Sequence, residues 1–142
     1  MSRILGLDLG TRRIGVAISD PTGVLAQGLP TLGNDRQGRW LAHLKNLVDE
    51  HHVIGIVVGL PKNMSGTEGP VAEEVRRLAE ILQNKLEVQV TLWDERLTTV
   101  AAERMFQETG VKMRRAKKHL DEVAAVLILQ GYLDGRGKER KS

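Results

Sequence analysis

Four acidic residues stand where an acid could do chemistry: Asp8, Asp94, Glu95 and Asp121. Asp8 is the clearest case, because it lies within the aliphatic run Ile4–Leu9, which is typical of a central strand. An ionised carboxylate in such a strand costs several kcal/mol unless a cation compensates it. No Lys or Arg alternates with Asp8 inside the run. The compensating cation is therefore a basic side chain from elsewhere in the chain or a bound metal ion.

The other three acids lie far from Asp8 in sequence but need not lie far from it in space. Asp94 and Glu95 follow an apolar run at residues 88–93, and Asp121 begins a predicted helix. If the first and fifth predicted strands lie near each other in a mostly parallel sheet, and this helix begins over the same edge, the carboxylates converge. Helix capping is the alternative interpretation of Asp121.

A cluster of carboxylates favours metal chemistry. Without a cation, at least one of the acids would take up a proton at neutral pH. Oxygen-only ligands favour Mg²⁺ or Mn²⁺, and two such ions about 4 Å apart can activate a water and stabilise the leaving oxygen in phosphodiester cleavage. Structural ion pairs are the alternative interpretation, since acids in such pairs are perturbed as well.

The spacing of apolar residues predicts the elements that position these acids. Three strands at residues 4–9, 14–19 and 24–32 form an antiparallel meander, and the third, interrupted by Gly28 and Pro30, suits an edge. After them we expect a helix at 36–50 with Trp40 in the core, and a parallel strand at 53–58 followed by a loop at 59–67. A helix then begins at Pro70, with an apolar stripe at Val71, Val75, Leu78 and Leu82. The remaining predicted elements are a strand at 88–93, a helix from Thr98 or Thr99 to about 108, and a last helix at 120–133. The pattern predicts one α/β domain spanning residues 1–142, of which 134–142 form a polar tail.

Composition excludes several classes of protein. The 142 residues fit one domain, and the absence of cysteine excludes disulfides, thiolate zinc sites and cysteine nucleophiles. No apolar run of about 18 residues and no signal-peptide pattern occur, so neither a membrane span nor secretion is expected. We therefore expect a cytoplasmic protein.

Basic residues cluster, which favours a polyanionic partner. The formal net charge is +3, and aromatic residues make up only 3% of the chain, so phosphate contacts are expected in place of base stacking. The predicted phosphate contacts are Thr11, Arg12, Arg13, Lys62, Asn63, Arg96, Lys112, Arg114, Arg115, Lys117 and Lys118. For the basic loop 111–119 this prediction rests on charge alone, and we expect His119 to be a surface residue and not a proton shuttle.

Four motifs in order resemble the YqgF/RuvX family, small RNase H-like proteins regarded as nucleases of precursor 16S rRNA and related to Holliday-junction resolvases. They are DLGTRRIGVAISD at residues 8–20, GLPKNMSGTEG at 59–69, DERLTT at 94–99 and KHLDEVAAVLILQGYL at 118–133. The resemblance implies a five-stranded mixed sheet, three antiparallel strands followed by two parallel ones, with helices on both faces. It also implies metal-ligand roles for Asp8, an acid of the DER motif and Asp121, with Glu95 preferred over Asp94.

Three other functions share parts of this pattern. A Holliday-junction DNA resolvase would need two sites related by a two-fold axis and hence a homodimer, whereas a monomer could process RNA. A catalytically idle module that binds nucleic acid or ribosomal particles would keep the basic surface and need none of the acids. The opening motif D-x-G-T-x-x-x-G also resembles the phosphate loop of the actin, hexokinase and heat-shock ATPases, which close two such domains around ATP, whereas these 142 residues supply one.

Overall fold

The structure, a computed structural model, describes residues 3–63, 65–95 and 120–141, and within the last range it describes the side chains of residues 123–136. The elements in chain order are β1 (Arg3–Leu9), β2 (Arg13–Ser19), β3 (Ala26–Gly33), α1 (Arg39–His51), β4 (Val53–Leu60), α2 (Pro70–Leu86), β5 (Gln89–Asp94) and α3 (Leu120–Lys141). The helix predicted from Thr98 or Thr99 to about residue 108 lies outside the described residues.

The strands form one five-stranded sheet in the order β3-β2-β1-β4-β5. β2 pairs antiparallel with both β1 and β3, whereas β4 pairs parallel with both β1 and β5. The predicted mixed sheet and the edge position of the third strand are both confirmed. Because β1, β4 and β5 run in the same direction, their carboxyl ends meet at one edge of the sheet.

Each face of the sheet is covered by helix, as predicted. Side chains alternate along β1, so Leu5 and Leu7 join the core under α1 and α2, whereas Ile4 joins the core under α3. Trp40 is buried in the first core, which confirms its predicted role. On the other face α3 lies close to β1, because a Cβ atom on Gly6 would stand only 2.6 Å from Leu129 Cβ.

The buried stripe of α2 differs from the predicted one. Val71 is 60% exposed, and the buried residues are Ala72, Val75, Ala79, Leu82 and Leu86. Val75 and Leu82 are buried and Leu78 packs partly buried against the same core, as predicted. Only Val71 of the predicted stripe is wrong, and Ala72 and Ala79 complete the buried face. Small side chains there let the helix backbone approach the sheet closely, and Val71 is left on the surface.

The last helix is longer than predicted, since α3 continues through Lys141 and does not end near Leu133. Two of its glycines lie against Trp93 of β5. A Cβ atom on Gly131 would lie 3.2 Å from Trp93 Nε1, and one on Gly135 would lie 3.4 Å from Trp93 Cη2. The indole of β5 therefore packs directly on the helix backbone, which supports helix beyond the last apolar residue.

Hydrogen bonds fix the turn between β2 and β3. The Asp20 carboxylate accepts from the Thr22 hydroxyl and from the backbone N–H groups of Val24 and Leu25, the latter two at 2.8 and 3.0 Å. These bonds, the one from Thr22 first, lower the pKa of Asp20 to about 2. Asp20 is thus an acid with a structural role.

None of the helices in the ranges given above is both long and apolar enough to cross a membrane.

Candidate metal centre

The candidate site lies at the edge where β1, β4 and β5 end. Asp8 is the second-last residue of β1, Gly59 the second-last of β4, and Glu95 directly follows β5. Alternation along β1 places Asp8 on the same face as Ile4, which packs under α3. The strand order puts β4 between β1 and β5, so the two acids approach each other from either side of Gly59.

Asp8 and Glu95 are hydrogen bonded to each other, although they lie far apart in the sequence. The pKa of Glu95 is raised to about 7. Burial is the largest cause, followed by the negative charge of Asp8 and the hydrogen bond with Asp8. The charge of Asp94 adds to the effect. Protonated Glu95 therefore donates to the Asp8 carboxylate, and the pair holds a proton near neutral pH.

Gly59 makes this contact possible. A Cβ atom at this position would lie 2.7 Å from Glu95 Oε1, 2.9 Å from Glu95 Cγ and 2.5 Å from Ile128 Cδ1. Such distances are far inside van der Waals contact, so any side chain at this point of β4 would displace the Glu95 carboxyl. From the sequence we expected Gly59 only to open a loop, whereas β4 continues through Leu60. The signal in the sequence was a lone glycine directly after a β-branched run, which often marks close approach of another group.

The remaining two predicted acids occupy different positions. Asp94 is the last residue of β5 and pairs with Leu60 of β4. Because neighbours along a strand point to opposite faces and Trp93 packs under α3, Asp94 points away from that face. Asp121 lies in the first turn of α3, but its side chain is outside the described part of the chain. Among the described residues, no three His, Cys, Asp or Glu side chains form a group that could hold a metal ion.

The chemistry of the Asp8–Glu95 pair fits a hard divalent cation. The pair offers carboxyl oxygens only, which is the donor set that Mg²⁺ and Mn²⁺ prefer. Its proton is retained because two carboxylates this close repel when both are ionised, and a bound cation would relieve that repulsion and release the proton. The residues present therefore suit such an ion.

Comparison with known proteins identifies the family. The chain matches, over residues 2–135, the sequence model of the family described as "RuvX: Holliday junction resolvase". The chain belongs to the RuvX family. A relative from Geobacillus sp. (strain WCH70) is 49% identical over 94% of this chain and 99% of its own length, and one from Clostridium botulinum (strain Hall) is 48% identical over 96% and 99%. Both carry the name "Putative pre-16S rRNA nuclease". The predicted resemblance is confirmed.

Two solved structures of Holliday-junction resolvases share this fold. The structure titled "T. thermophilus RuvC in complex with Holliday junction substrate" superimposes with a TM-score of 0.61 at 15% identity, covering 96% of both chains. The Holliday junction resolvase of fowlpox virus gives a TM-score of 0.53 at 14% identity over 94% of this chain and 99% of its own. At such identities the likeness establishes the fold, which is RNase H-like.

In this RuvX-family chain, three of the predicted phosphate contacts belong to the turn between β1 and β2, at the same edge as Asp8. Thr11, Arg12 and Arg13 are all exposed there. The turn is tight, because the Gly10 N–H donates to Arg13 O at 3.0 Å and a Cβ atom on Gly10 would lie 2.5 Å from that oxygen. Two exposed arginines therefore follow Asp8 at the same edge of the sheet, Arg12 in the turn and Arg13 as the first residue of β2.

The loop after β4 supplies two more predicted contacts at the carboxyl edge. Lys62 is half-buried, and its charge contributes to lowering the pKa of Glu68, after the larger effect of the Arg76 side chain. Asn63 is exposed but its carboxamide already donates to Thr67 Oγ1 at 3.0 Å, so it shapes the loop. The other predicted contacts, Arg96, Lys112, Arg114, Arg115, Lys117 and Lys118, and likewise His119, lie outside the described residues.

Proposed function

We propose that this chain is a metal-dependent nuclease that hydrolyses phosphodiester bonds in the precursor of 16S rRNA. The observation that carries the proposal is the hydrogen-bonded pair of Asp8 and Glu95, brought together across Gly59 at the edge where three parallel strands end. Parallel α/β sheets place their ligands at this edge. The names of relatives 48–49% identical over nearly their whole length support the RNA substrate.

Three acids would hold the metal in this proposal: Asp8, Glu95 and Asp121. Mg²⁺ or Mn²⁺, when bound, would supply Lewis acidity that activates a water and stabilises the leaving oxygen. With an ion bound, Glu95 would release the proton that it shares with Asp8, and both carboxylates would hold the ion in ionised form. Glu95 is preferred over Asp94 as a ligand because Glu95 contacts Asp8, whereas Asp94 lies on the opposite face of the sheet.

The exposed turn at Thr11, Arg12 and Arg13 orients the substrate in this mechanism. Its guanidinium groups bind the phosphates next to the cleaved bond, and the Thr11 hydroxyl can donate to a phosphate oxygen. These contacts fix the position of the strand without reading its sequence. A ribosomal precursor particle in the cytoplasm is the partner that fits such a substrate.

A second candidate function is the resolution of Holliday junctions. The description of the family and the RNase H-like fold shared with resolvases favour it. A junction has two-fold symmetry, so this function requires a homodimer that presents two copies of the acidic pair. Processing of a single RNA strand needs only one.

Cleavage of three substrates tests the proposal. A fragment of precursor 16S rRNA, an unstructured RNA of the same length and a four-way DNA junction are each incubated with Mg²⁺, Mn²⁺ or EDTA. We expect cleavage of the precursor fragment with either ion and none in EDTA. Preferred cleavage of the junction would favour the resolvase, and binding without cleavage of any substrate would favour a non-catalytic module.

A further inference from the structure

A second concave feature opens at the carboxyl edge, on the face of the sheet opposite Asp8. It is a groove of about 620 Å³ lined by the start of α1, by α2 from Pro70 to Ile81 and by the turn between β1 and β2. Its floor is apolar and includes Leu9, Trp40, Val75 and Leu78. The function proposed above leaves this groove unused.

The mouth of the groove is held open by hydrogen bonds between two loops. The Asn34 N–H donates to Arg12 O at 3.0 Å, and Asn34 Nδ2 donates to Gly10 O at 2.8 Å. In the same loop as Asn34, the Asp35 carboxylate accepts from the Arg39 N–H at 3.0 Å. These bonds fix both loops, so the groove is formed before any ligand arrives.

The groove and the candidate metal centre adjoin the same end of β1, from opposite faces of the sheet. Leu9, in its floor, directly follows Asp8 in β1, and Thr11 lies at its mouth. A strand bound at Asp8 would have to pass over the turn at residues 10–13 to place its next residues in the groove.

Two acids and two arginines line the groove: Asp35, Arg36, Glu74 and Arg77. Asp35 is paired with Arg39 at 3.3 Å, and Glu74 forms an ion pair with Arg77. In contrast, Arg36 is exposed and forms no salt bridge within the described ranges. Arg12 and Arg13 do not line the groove but are exposed next to Thr11, which does. An apolar floor beneath free guanidinium groups suits a ligand with a flat apolar body and an anionic group.

We propose that this groove binds one unpaired nucleotide of the substrate strand. The base lies against Leu9 and Leu78, and the phosphate contacts Arg12 and Arg36. A paired base cannot enter, because it is stacked inside its helix, whereas an unpaired base can be splayed out. The inference rests on the proposed nuclease function and adds to it that the strand is single beside the cleaved bond.

The test compares two valines of equal exposure. Val71 lies at the groove and is 60% exposed, and Val24 lies in the turn between β2 and β3 and is 59% exposed. Val71→Trp fills the groove, and Val24→Trp is its control. Fluorescence anisotropy in EDTA measures the affinity of each variant for a short labelled single-stranded RNA and for the blunt duplex made with its complement.

We expect Val71→Trp to weaken binding of the single strand about tenfold, because the base loses its apolar contact in the groove, with the duplex unchanged. Val24→Trp should bind both RNAs as the original chain does. Equal affinities of the two variants for the single strand, or an equal loss of duplex binding by Val71→Trp, would overturn the proposal. If Val71→Trp unfolds at a lower temperature than the original chain, Val71→Glu and Val24→Glu make the same comparison, because a glutamate at the groove would repel the phosphate.

The phosphate contact is tested by a second pair of variants. Arg36→Gln should reduce the slope of log affinity against log salt for the single strand by about 0.7, whereas Arg39→Gln, whose guanidinium is already paired with Asp35, should not. An unchanged slope in Arg36→Gln would remove Arg36 from the site. These binding measurements contain no metal, so their results do not depend on the nuclease proposal. A chain that fails to cleave RNA could still bind a nucleotide in the groove. A chain that binds no nucleotide in the groove could still cleave RNA with metal.

Discussion

Two acids of this chain have pKa values shifted in opposite directions, and the contrast separates a structural acid from a functional one. Hydrogen bonds from Thr22 and two backbone amides lower the pKa of Asp20 to about 2, so its charge stabilises a turn. Burial and the neighbouring Asp8 raise the pKa of Glu95 to about 7. In the native state Glu95 keeps its proton up to about pH 7, whereas in an unfolded chain it would lose the proton near the ordinary pKa of 4.5. The native state therefore disfavours ionised Glu95, and a bound cation would remove that cost.

The raised pKa of Glu95 predicts a pH-dependent stability in EDTA. Between the ordinary value of 4.5 and about 7, the unfolded chain has released this proton and the native chain has not. The native state therefore binds more protons, and its free energy of unfolding should fall as pH rises through this window. Thermal unfolding at a series of pH values should show this fall, and Glu95→Gln should reduce it.

The control for this measurement is Glu80→Gln, which changes an exposed acid of α2. It should unfold with the same pH dependence as the original chain. An identical pH slope in the original chain and Glu95→Gln would contradict the assignment of the proton to the Asp8–Glu95 pair.

At the scale of elements, β4 decides whether the acids of β1 and β5 can meet. Gly59→Ala should lower metal-dependent cleavage at least tenfold, because the added Cβ would lie 2.7 Å from Glu95 Oε1. Gly55→Ala is the matched control on the same strand, where the Cβ would stand an ordinary 3.5 Å from Gln89 O. Cleavage rates and Mn²⁺ titrations of both variants make the comparison.

A double variant separates the effect on the acids from simple overpacking. Gly59→Ala combined with Ile128→Val removes the second clash, since the Cδ1 atom 2.5 Å from the added Cβ is then absent. Thermal stability should recover while Mn²⁺ affinity stays low. Full recovery of Mn²⁺ affinity would show that Gly59 matters only for packing.

The packing of α3 on Trp93 gives two glycines of one helix opposite expected effects. Gly135→Ala should stabilise the fold by about 0.5–1 kcal/mol through helix propensity, because its Cβ would meet Trp93 at an ordinary 3.4 Å. Gly131→Val should destabilise it by about 1–3 kcal/mol, since even its Cβ would lie 3.2 Å from Trp93 Nε1. Chemical denaturation measures both, and stabilisation by Gly131→Val would contradict this packing.

The sequence predicted which elements form, but not every residue that they bury or where one of them ends. The strands follow from runs such as Ile4–Leu9, whose composition specifies a buried strand. The exposed position of Val71 could not be predicted, because neighbouring stripes on α2 have nearly the same period and only packing selects between them. The extension of α3 depends on Trp93 meeting Gly131 and Gly135, a contact between distant parts of the chain.

At the scale of the whole molecule, the features proposed to act on nucleic acid share one edge of the sheet. The Asp8–Glu95 pair lies on the face covered by α3, and the groove at Leu9 and Leu78 lies on the face covered by α1 and α2. The basic turn at residues 11–13 stands between them. Parallel strands explain the arrangement, because every loop that follows β1 or β4 emerges at this edge.

The candidate site was predictable to a similar extent. Asp8 could be singled out because an acid in an aliphatic strand demands a partner, and Glu95 because an acid follows a strand of the same sheet. Their actual meeting could not, since it depends on the strand order and on the missing side chain of Gly59. The metal role of Asp121 stays a prediction.

The central claim, that Asp8 helps to hold a catalytic metal ion, is tested most directly by Asp8→Asn, with Asp49→Asn, an exposed acid of α1, as the control. The measurement is Mn²⁺-dependent cleavage of the precursor 16S rRNA fragment, with circular dichroism to verify the fold. We predict that Asp8→Asn folds and loses at least 100-fold in rate, of the order found when one group that stabilises the transition state is removed, while Asp49→Asn cleaves normally. Undiminished cleavage by a well-folded Asp8→Asn chain would contradict the claim.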